Sequence, residues 1–391
     1  MRRAWLFVVV GIFLLTSGST DAADWPFARG DEQSTGTAPF ALPDDPEVVW
    51  SYAPGGEVSF EGAPVIAAGI VYLVDADGGV HALKLRDGAV VWATQLAETI
   101  VLAGPAFDDN RLFIGDADGL VRALSTTDGK ELWQFDAEGE VYAGPLVYHP
   151  PTSDPLLLVT TELGRLYALN PVTGIEQWRY EIKDPLRCAP TVVAGHALLA
   201  GCDGKLHTVE LQNGTQAGFT EIGGPTGCTA AVRDGVAYFG TEAGVFYAID
   251  ANDPQKPAVA WTFSDPRRRQ GIRTAAAVGV STTVFGNQAK AVYALASRQG
   301  ERLWVKTLKS RLEAAPLIVG DRVLLATSRG RLLLLDLATG EEAWQYEAGG
   351  GFLADPAAAD GRVIVASTDG VVYCLGEGND EPASAPHNAD R

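Results

Sequence analysis

The residues of this chain whose types could do chemistry are four cysteines, five histidines and a scatter of carboxylates. Cys188 and Cys228 each stand just before an apolar strand, at the same place in two consecutive sequence repeats. Cys202 ends the strand that follows Cys188. This spacing can cluster three thiols, and it predicts one disulfide among Cys188, Cys202 and Cys228. Cys374 lies inside an apolar run and reads as a buried free thiol. No CxxC pair or Cys/His metal spacing occurs. Asp75-Ala76-Asp77-Gly78 and Asp116-Ala117-Asp118-Gly119 resemble half a calcium loop, but the closing Glu is missing and both fall at hairpin turns. His81 and His207 occupy a position that is Tyr in other repeats, so they read as scaffold side chains. No nucleophile elbow, zinc helix motif or phosphate loop is present. The sequence therefore assigns no catalytic, cofactor or metal residue.

Charge is the other chemical signal. The net charge is −19, which disfavours nucleic acid, whose affinity comes from neutralised phosphates. Against this background several loops are basic: Lys183 and Arg187; Arg267, Arg268, Arg269 and Arg273; Lys306, Lys309 and Arg311. They fall where one repeat passes to the next, so they share one face. A positive arc there would orient an acidic protein partner.

These residues are positioned by a repeat of roughly 42 residues, marked by Trp50, Trp92, Trp133, Trp178, Trp261, Trp304 and Trp344. One tryptophan is missing, and Phe219 stands where it would fall. Aligned on the tryptophans, the chain shows eight copies of a pattern with four short strands. Asp-Gly turns precede a strand of the type Leu166-Tyr167-Ala168-Leu169, and Thr-Gly turns such as Thr173-Gly174 follow it. Asp-Gly between apolar runs is a hairpin signal, because both turn residues need positive φ. Four strands per period with radial repetition describe a propeller blade. The eighth copy stops after its third strand near Leu375, while a spare strand, Glu47 to Tyr52, precedes the first. The expected fold is all-β: a single eight-bladed β-propeller of four-stranded blades, closed by that N-terminal strand. The tryptophans are expected flat between blades, each N–H on a carbonyl.

Outside the ring, residues 1–23 read as a secretory signal peptide: Met1-Arg2-Arg3, an apolar run from Leu6 to Leu15, then small residues. No cysteine stands at the cleavage point for lipid attachment. Residues 24–46 read as an extended segment along the surface, 47–378 as the propeller, and 379–391 as a disordered tail. A periplasmic or secreted monomer with no membrane span after cleavage is expected.

The unit seen in Gly164–Trp178 and Gly330–Trp344 resembles the PQQ-type, tryptophan-docking propeller repeat, over about residues 47–376. Asp24-Trp25-Pro26-Phe27-Ala28-Arg29-Gly30 also resembles the start of exported proteins with this repeat. The resemblance implies one of two roles, and fold alone does not choose. One is that of BamB-like scaffolds of the outer-membrane β-barrel assembly machinery. The other is that of quinoprotein dehydrogenases, which hold PQQ and Ca²⁺ above the ring axis. The adjacent cysteines of one dehydrogenase branch are absent, as are a matching carboxylate set and long insertions. Leu186-Arg187 resembles the leucine–arginine loop by which BamB-like proteins grip their partner. The expected role is a non-catalytic protein-binding scaffold without cofactor, with Leu186, Arg187, Arg267, Arg268, Arg269, Arg273, Lys309 and Arg311 as partner-binding residues. A quinone-dependent dehydrogenase, or a propeller binding carbohydrate or another small ligand, are the alternatives.

Overall fold

The computed structural model describes residues 24–97, 99–378 and 387–388. The expected signal peptide, residues 1–23, lies outside them. So does the expected tail, except His387–Asn388, which pairs parallel with Tyr52 and Ala53.

Eight sheets stand around an axis. Blades 1 to 7 span 65–95, 106–136, 146–181, 191–221, 231–263, 277–307 and 317–347. Blade 8 combines 357–376 with the strand Glu47–Ala53. Within blades 1 to 7 the strands run antiparallel in chain order from the axis outward. The second and third strands are buried on both faces because a neighbouring blade covers each side. Leu156–Thr160 and Arg165–Leu169 expose little beyond their first residues. The outermost strands alternate, as in Glu176–Glu181, because only one face packs inward.

Six of the seven tryptophans dock as expected. Trp133 pairs with Ala123 across the outer ladder, just after a bulge between Glu131 and Trp133. Its Nε1 donates to the Pro171 carbonyl of that blade at 3.0 Å. The turn glycine of the same blade, Gly174, has φ +71° and lies so close that a Cβ would stand 2.6 Å from the Trp133 ring. Trp50, Trp92, Trp178, Trp261 and Trp304 donate in the same way to Leu85, Thr126, Leu211, Ser297 and Leu337. Each of these six tryptophans thus closes the interface between its own blade and the next, whereas Trp344 shows no such bond among the described residues and stacks on Tyr346 of its own strand.

The missing tryptophan is not replaced by Phe219. The residue paired with Thr208, where other blades carry Trp opposite Ala, is Gly218. Phe219 points outward beneath Lys205, whose ammonium lies 4.7 Å from its ring centre. The space is filled from blade 5, whose turn is longer. A Cβ on Gly218 would stand 2.6 Å from the Gln255 carbonyl oxygen, and Thr208 Oγ1 donates to Pro254 O at 2.5 Å.

The ring closes as expected. Glu47–Ala53 pairs with Val372–Gly376, and Trp50 docks on blade 1 through Gly88 and Leu85. Residues 25–38, expected along the surface, instead line the bore. Trp25 pairs with Ile66 of blade 1. The carbonyls of Pro26, Glu32, Gln33, Thr35 and Gly36 then accept from Phe107, Val192, Val232, Val278 and Ile318. These are inner-strand amides of blades 2, 4, 5, 6 and 7, so the segment runs round the inner wall in blade order. Unpaired inner-strand amides in a narrow bore are a liability, which explains why this polar, Gly-rich stretch is drawn inside.

The predicted disulfide is not formed: all four cysteines are free. Cys188 and Cys228 repeat one blade apart, both 1% exposed within one core cluster. The Cys228 thiol is turned onward to the Ile272 carbonyl, 3.0 Å away, and the Cys202 thiol faces Thr226 O at 3.5 Å.

Candidate functional site

Each chain passage from one blade's outer strand to the next blade's inner strand crosses the same face. Two consecutive residues of the passage stitch the blades together. Pro185 O accepts from Cys202 N of blade 4, and Leu186 N donates to Thr161 O of blade 3. The same pair of contacts joins Ile100 and Val101 to blades 2 and 1. The second stitching residue must point between the blades. Leu186 is 2% exposed, and Phe60, Val101, Val141, Ile272, Leu312 and Phe352 are similarly buried. The sequence expectation that Leu186 contacts a partner is thereby corrected: it is core.

The next residue of each passage stands on the rim of the axial funnel. Around the ring these are Glu61, Leu102, Tyr142, Arg187, Gly227, Arg273, Glu313 and Leu353. Arg187 and Arg273 are therefore equivalent positions flanking a glycine, and they line one shallow pocket with Cys202, Thr226 and Glu242. Neither is a free charge. Arg187 Nε donates to both Glu162 carboxylate oxygens at 3.1 and 2.8 Å, and its Nη2 donates at 2.5 Å. Hydrogen bonding to Glu162 raises the Arg187 pKa further above its ordinary value. Arg273 Nε reaches Glu242 at 2.9 and 3.2 Å. Each Glu belongs to a blade turn, so the guanidinium is held flat on the face while remaining accessible. Arg311 donates to Gln288 at 3.0 Å and shares another pocket with Lys290 and Arg329.

Arg267, Arg268 and Arg269 lie on the longest passage, 264–276, where Arg269 Nε is tied to Ala243 O at 3.0 Å. Lys309 is exposed on the passage into blade 7. Lys306 is not in a loop; it lies on the outer strand Arg302–Thr307, 3.6 Å from Glu342.

Sequence reasoning missed the apolar half of this face. Ile100, Tyr142, Leu163 and Leu353 are exposed to 56, 40, 52 and 37%. Tyr142, Leu102 and Leu353 share with Arg187 the lining of the axial cavity, about 180 Å³ in volume. Aligning the passages on the Ala/Gly-Pro before each inner strand would have exposed the rim position. The cavity floor is the segment 27–29. There Arg29, 3% exposed, donates to Ala276 O and Pro316 O at 3.2 and 2.9 Å, with Asp355 3.6 Å away. Burial lowers its pKa, opposed by Asp355 and Asp31.

The carboxylates are occupied structurally. Asp75 Oδ1 accepts from Asp77 N and Gly79 N, while Oδ2 meets His81 at 2.9 Å, and His81 Nδ1 meets Tyr52 at 3.1 Å. Asp203, His207 and Tyr180 repeat this chain at the interface of blades 3 and 4. Asp116 serves its own turn and Arg122. Among the described residues no group of three or more His, Cys, Asp or Glu is gathered to hold a metal ion.

Comparison with known proteins agrees with this geometry. The profile of the family described as outer membrane protein assembly factor BamB matches overlapping stretches at 35–100, 76–231, 148–315 and 288–379. The outer membrane protein assembly factor BamB of Salmonella typhimurium is 29% identical over 360 residues, covering 84% of this chain and 88% of that protein. The crystal structure of BamB from Moraxella catarrhalis superposes with a TM-score of 0.70 at 18% identity, covering 86% of this chain and 99% of the other. Quinohemoprotein alcohol dehydrogenase from Comamonas testosteroni shares the fold at a TM-score of 0.75 and 16% identity, covering 93% and 82%. With family matches running through all eight blades, the chain belongs to the outer membrane protein assembly factor BamB family.

Proposed function

We propose that this propeller is a non-catalytic docking platform for a protein partner of the cell envelope, serving outer-membrane protein assembly. It acts as a monomer exported to the periplasm and needs no PQQ, Ca²⁺ or other cofactor. The observation that carries this reading is the rim itself. An immobilised, accessible guanidinium at Arg187 stands beside exposed Tyr142 and Leu163 on a face built from rigid stitches. Interfaces favour this combination of aromatic and Arg anchors. Arg273 and Arg311 extend the polar side, and the outlying Arg267, Arg268, Arg269 and Lys309 supply long-range orientation.

A photo-crosslinking residue at position 163 should trap one envelope protein in cells. Arg187→Glu should remove that product by placing a carboxylate against Glu162, while leaving the β-sheet circular dichroism unchanged. Undiminished crosslinking in a folded Arg187→Glu protein would sink the docking site. Adding PQQ with Ca²⁺ to the purified protein should leave its melting midpoint unmoved. A saturable rise would revive quinone chemistry, since a ligand bound to the folded state alone stabilises it by mass action.

A further inference from the structure

We infer that the bore of the ring is a binding track for a turn-containing polypeptide segment, filled in cis by residues 25–36 and anchored by Arg29. The track presents the inner-strand amides of Ile66, Phe107, Val192, Val232, Val278 and Ile318. Each donates to a carbonyl of the segment at 2.7 to 3.0 Å. Recognition is therefore by main chain, one carbonyl to each of blades 1, 2, 4, 5, 6 and 7, while the segment itself turns through Gly30 N to Phe27 O and Ser34 N to Asp31 O, both at 2.9 Å. The segment is joined to the strand Glu47–Ala53 through residues 37–46, where Thr37–Ala38 pairs parallel with Ile318–Val319 and Leu42 is buried, and within this link Asp44 and Asp45 are exposed and open to cutting.

Side chains set the register. The buried Arg29 guanidinium reaches carbonyls of the passages into blades 6 and 7 and the Asp355 carboxylate of the passage into blade 8. Gly36 lies against that guanidinium, where a Cβ would be 1.9 Å from Nη2, and Gly30 lies on the Trp25 ring, where a Cβ would be 2.9 Å away. Both glycines have positive φ, +60° and +94°. Asp31 turns the segment by accepting from Gln33 N and Thr35 N at 3.1 and 3.0 Å. The ligand class is thus a turn-forming peptide with Trp, Arg and two glycines at the spacing Trp25, Arg29, Gly30, Gly36. A pre-formed wall with a one-residue anchor explains how a polar stretch comes to be buried.

The test keeps the folded full chain. A protease site is inserted between Asp44 and Asp45 and cut after folding. The released N-terminal peptide should co-elute with the ring at one copy per ring on gel filtration. A labelled synthetic peptide of residues 24–44 should exchange into the cut ring. The same peptide with Arg29→Ala should compete on the order of tenfold to a hundredfold less well, the loss expected for hydrogen bonds from a buried charged group. Departure of the peptide on cutting, with an unmoved melting midpoint, would show a passive filler and overturn the track. Equal competition by the Arg29→Ala peptide or by a scrambled sequence would overturn it as well.

Discussion

At the residue scale, the tryptophans and the buried thiols make separable demands on stability. Trp50 is 3% exposed and joins the ring's two ends through one hydrogen bond and one glycine contact. Trp50→Ala should cost about 3–5 kcal/mol, read as a lowered urea midpoint, because the cavity between blades cannot collapse. The thiols act through pH. Burial pushes Cys188, Cys228 and Cys374 from 9.0 up to about 12. Between those values the unfolded chain releases protons that the folded chain keeps, so stability should fall as pH rises and be flat below about pH 9. Tyr52, Tyr180 and Tyr293, raised by burial from 10.0 to about 12, add to the decline in the upper part of this window. Urea midpoints of Cys374→Ala from about pH 8 to about pH 11 should decline less steeply than those of the parent. Parallel curves would mean that this thiol titrates alike in both states. A disulfide would have removed the thiol term for two of the four cysteines. The sequence repeat placed Cys188 and Cys228 correctly, one blade apart, but could not show that all four thiols stay free and that the Cys228 thiol turns onward to the Ile272 carbonyl.

At the element scale, the interface between blades 4 and 5 is built from two coupled departures. Gly218 omits the tryptophan, and the turn around Pro254 and Gln255 fills its place. Gly218→Trp alone should destabilise by about 1–3 kcal/mol through overpacking. Shortening 251–257 to a Thr-Gly turn alone should destabilise by opening a void. The double variant should recover much of both losses, with a coupling of about 1–3 kcal/mol in a double-mutant cycle of denaturation midpoints. Additive losses would mean that the two changes are unrelated. The regular blades were legible because each strand, turn and tryptophan obeys local rules that recur. This interface was not, because the compensation crosses 36 residues between Gly218 and Pro254 and breaks the period on both sides. Phe219 drew attention as the nearest aromatic, but ladder parity puts it on the opposite face. The docking rim was half legible for a similar reason. Charge marked Arg187 and Arg273, whereas Tyr142, Leu163 and Leu353 look like ordinary apolar strand-end residues until the passages converge.

At the scale of the whole molecule, eight similar blades form one ring only if the ends meet, and the chain achieves this with a strand borrowed from before the first blade. Its inward residues, Trp50 and Tyr52, are 3 and 2% exposed, while Val49 and Ser51, which alternate with them, are half-buried. The sequence predicted this seam from a spare strand at one end and a missing strand at the other. It did not reveal the belt of residues 25–36, whose hydrogen bonds are to amides that only the assembled ring brings together. The seam protects the edge of Val372–Gly376, and an open edge of that apolar composition would template pairing between chains. Trp50→Asp with Tyr52→Asp buries two carboxylates and should detach the strand. The expected result is a concentration-dependent shift from monomer to larger species in sedimentation, with a broadened thermal transition. Val49→Asp with Ser51→Asp carries the same added charge on the opposite face and should stay monomeric with one sharp transition. If both pairs behave alike, net charge and not the seam governs association. If neither associates, the belt closes the ring without help from the strand, which would move the main closure from the rim of the sheet to the wall of the bore.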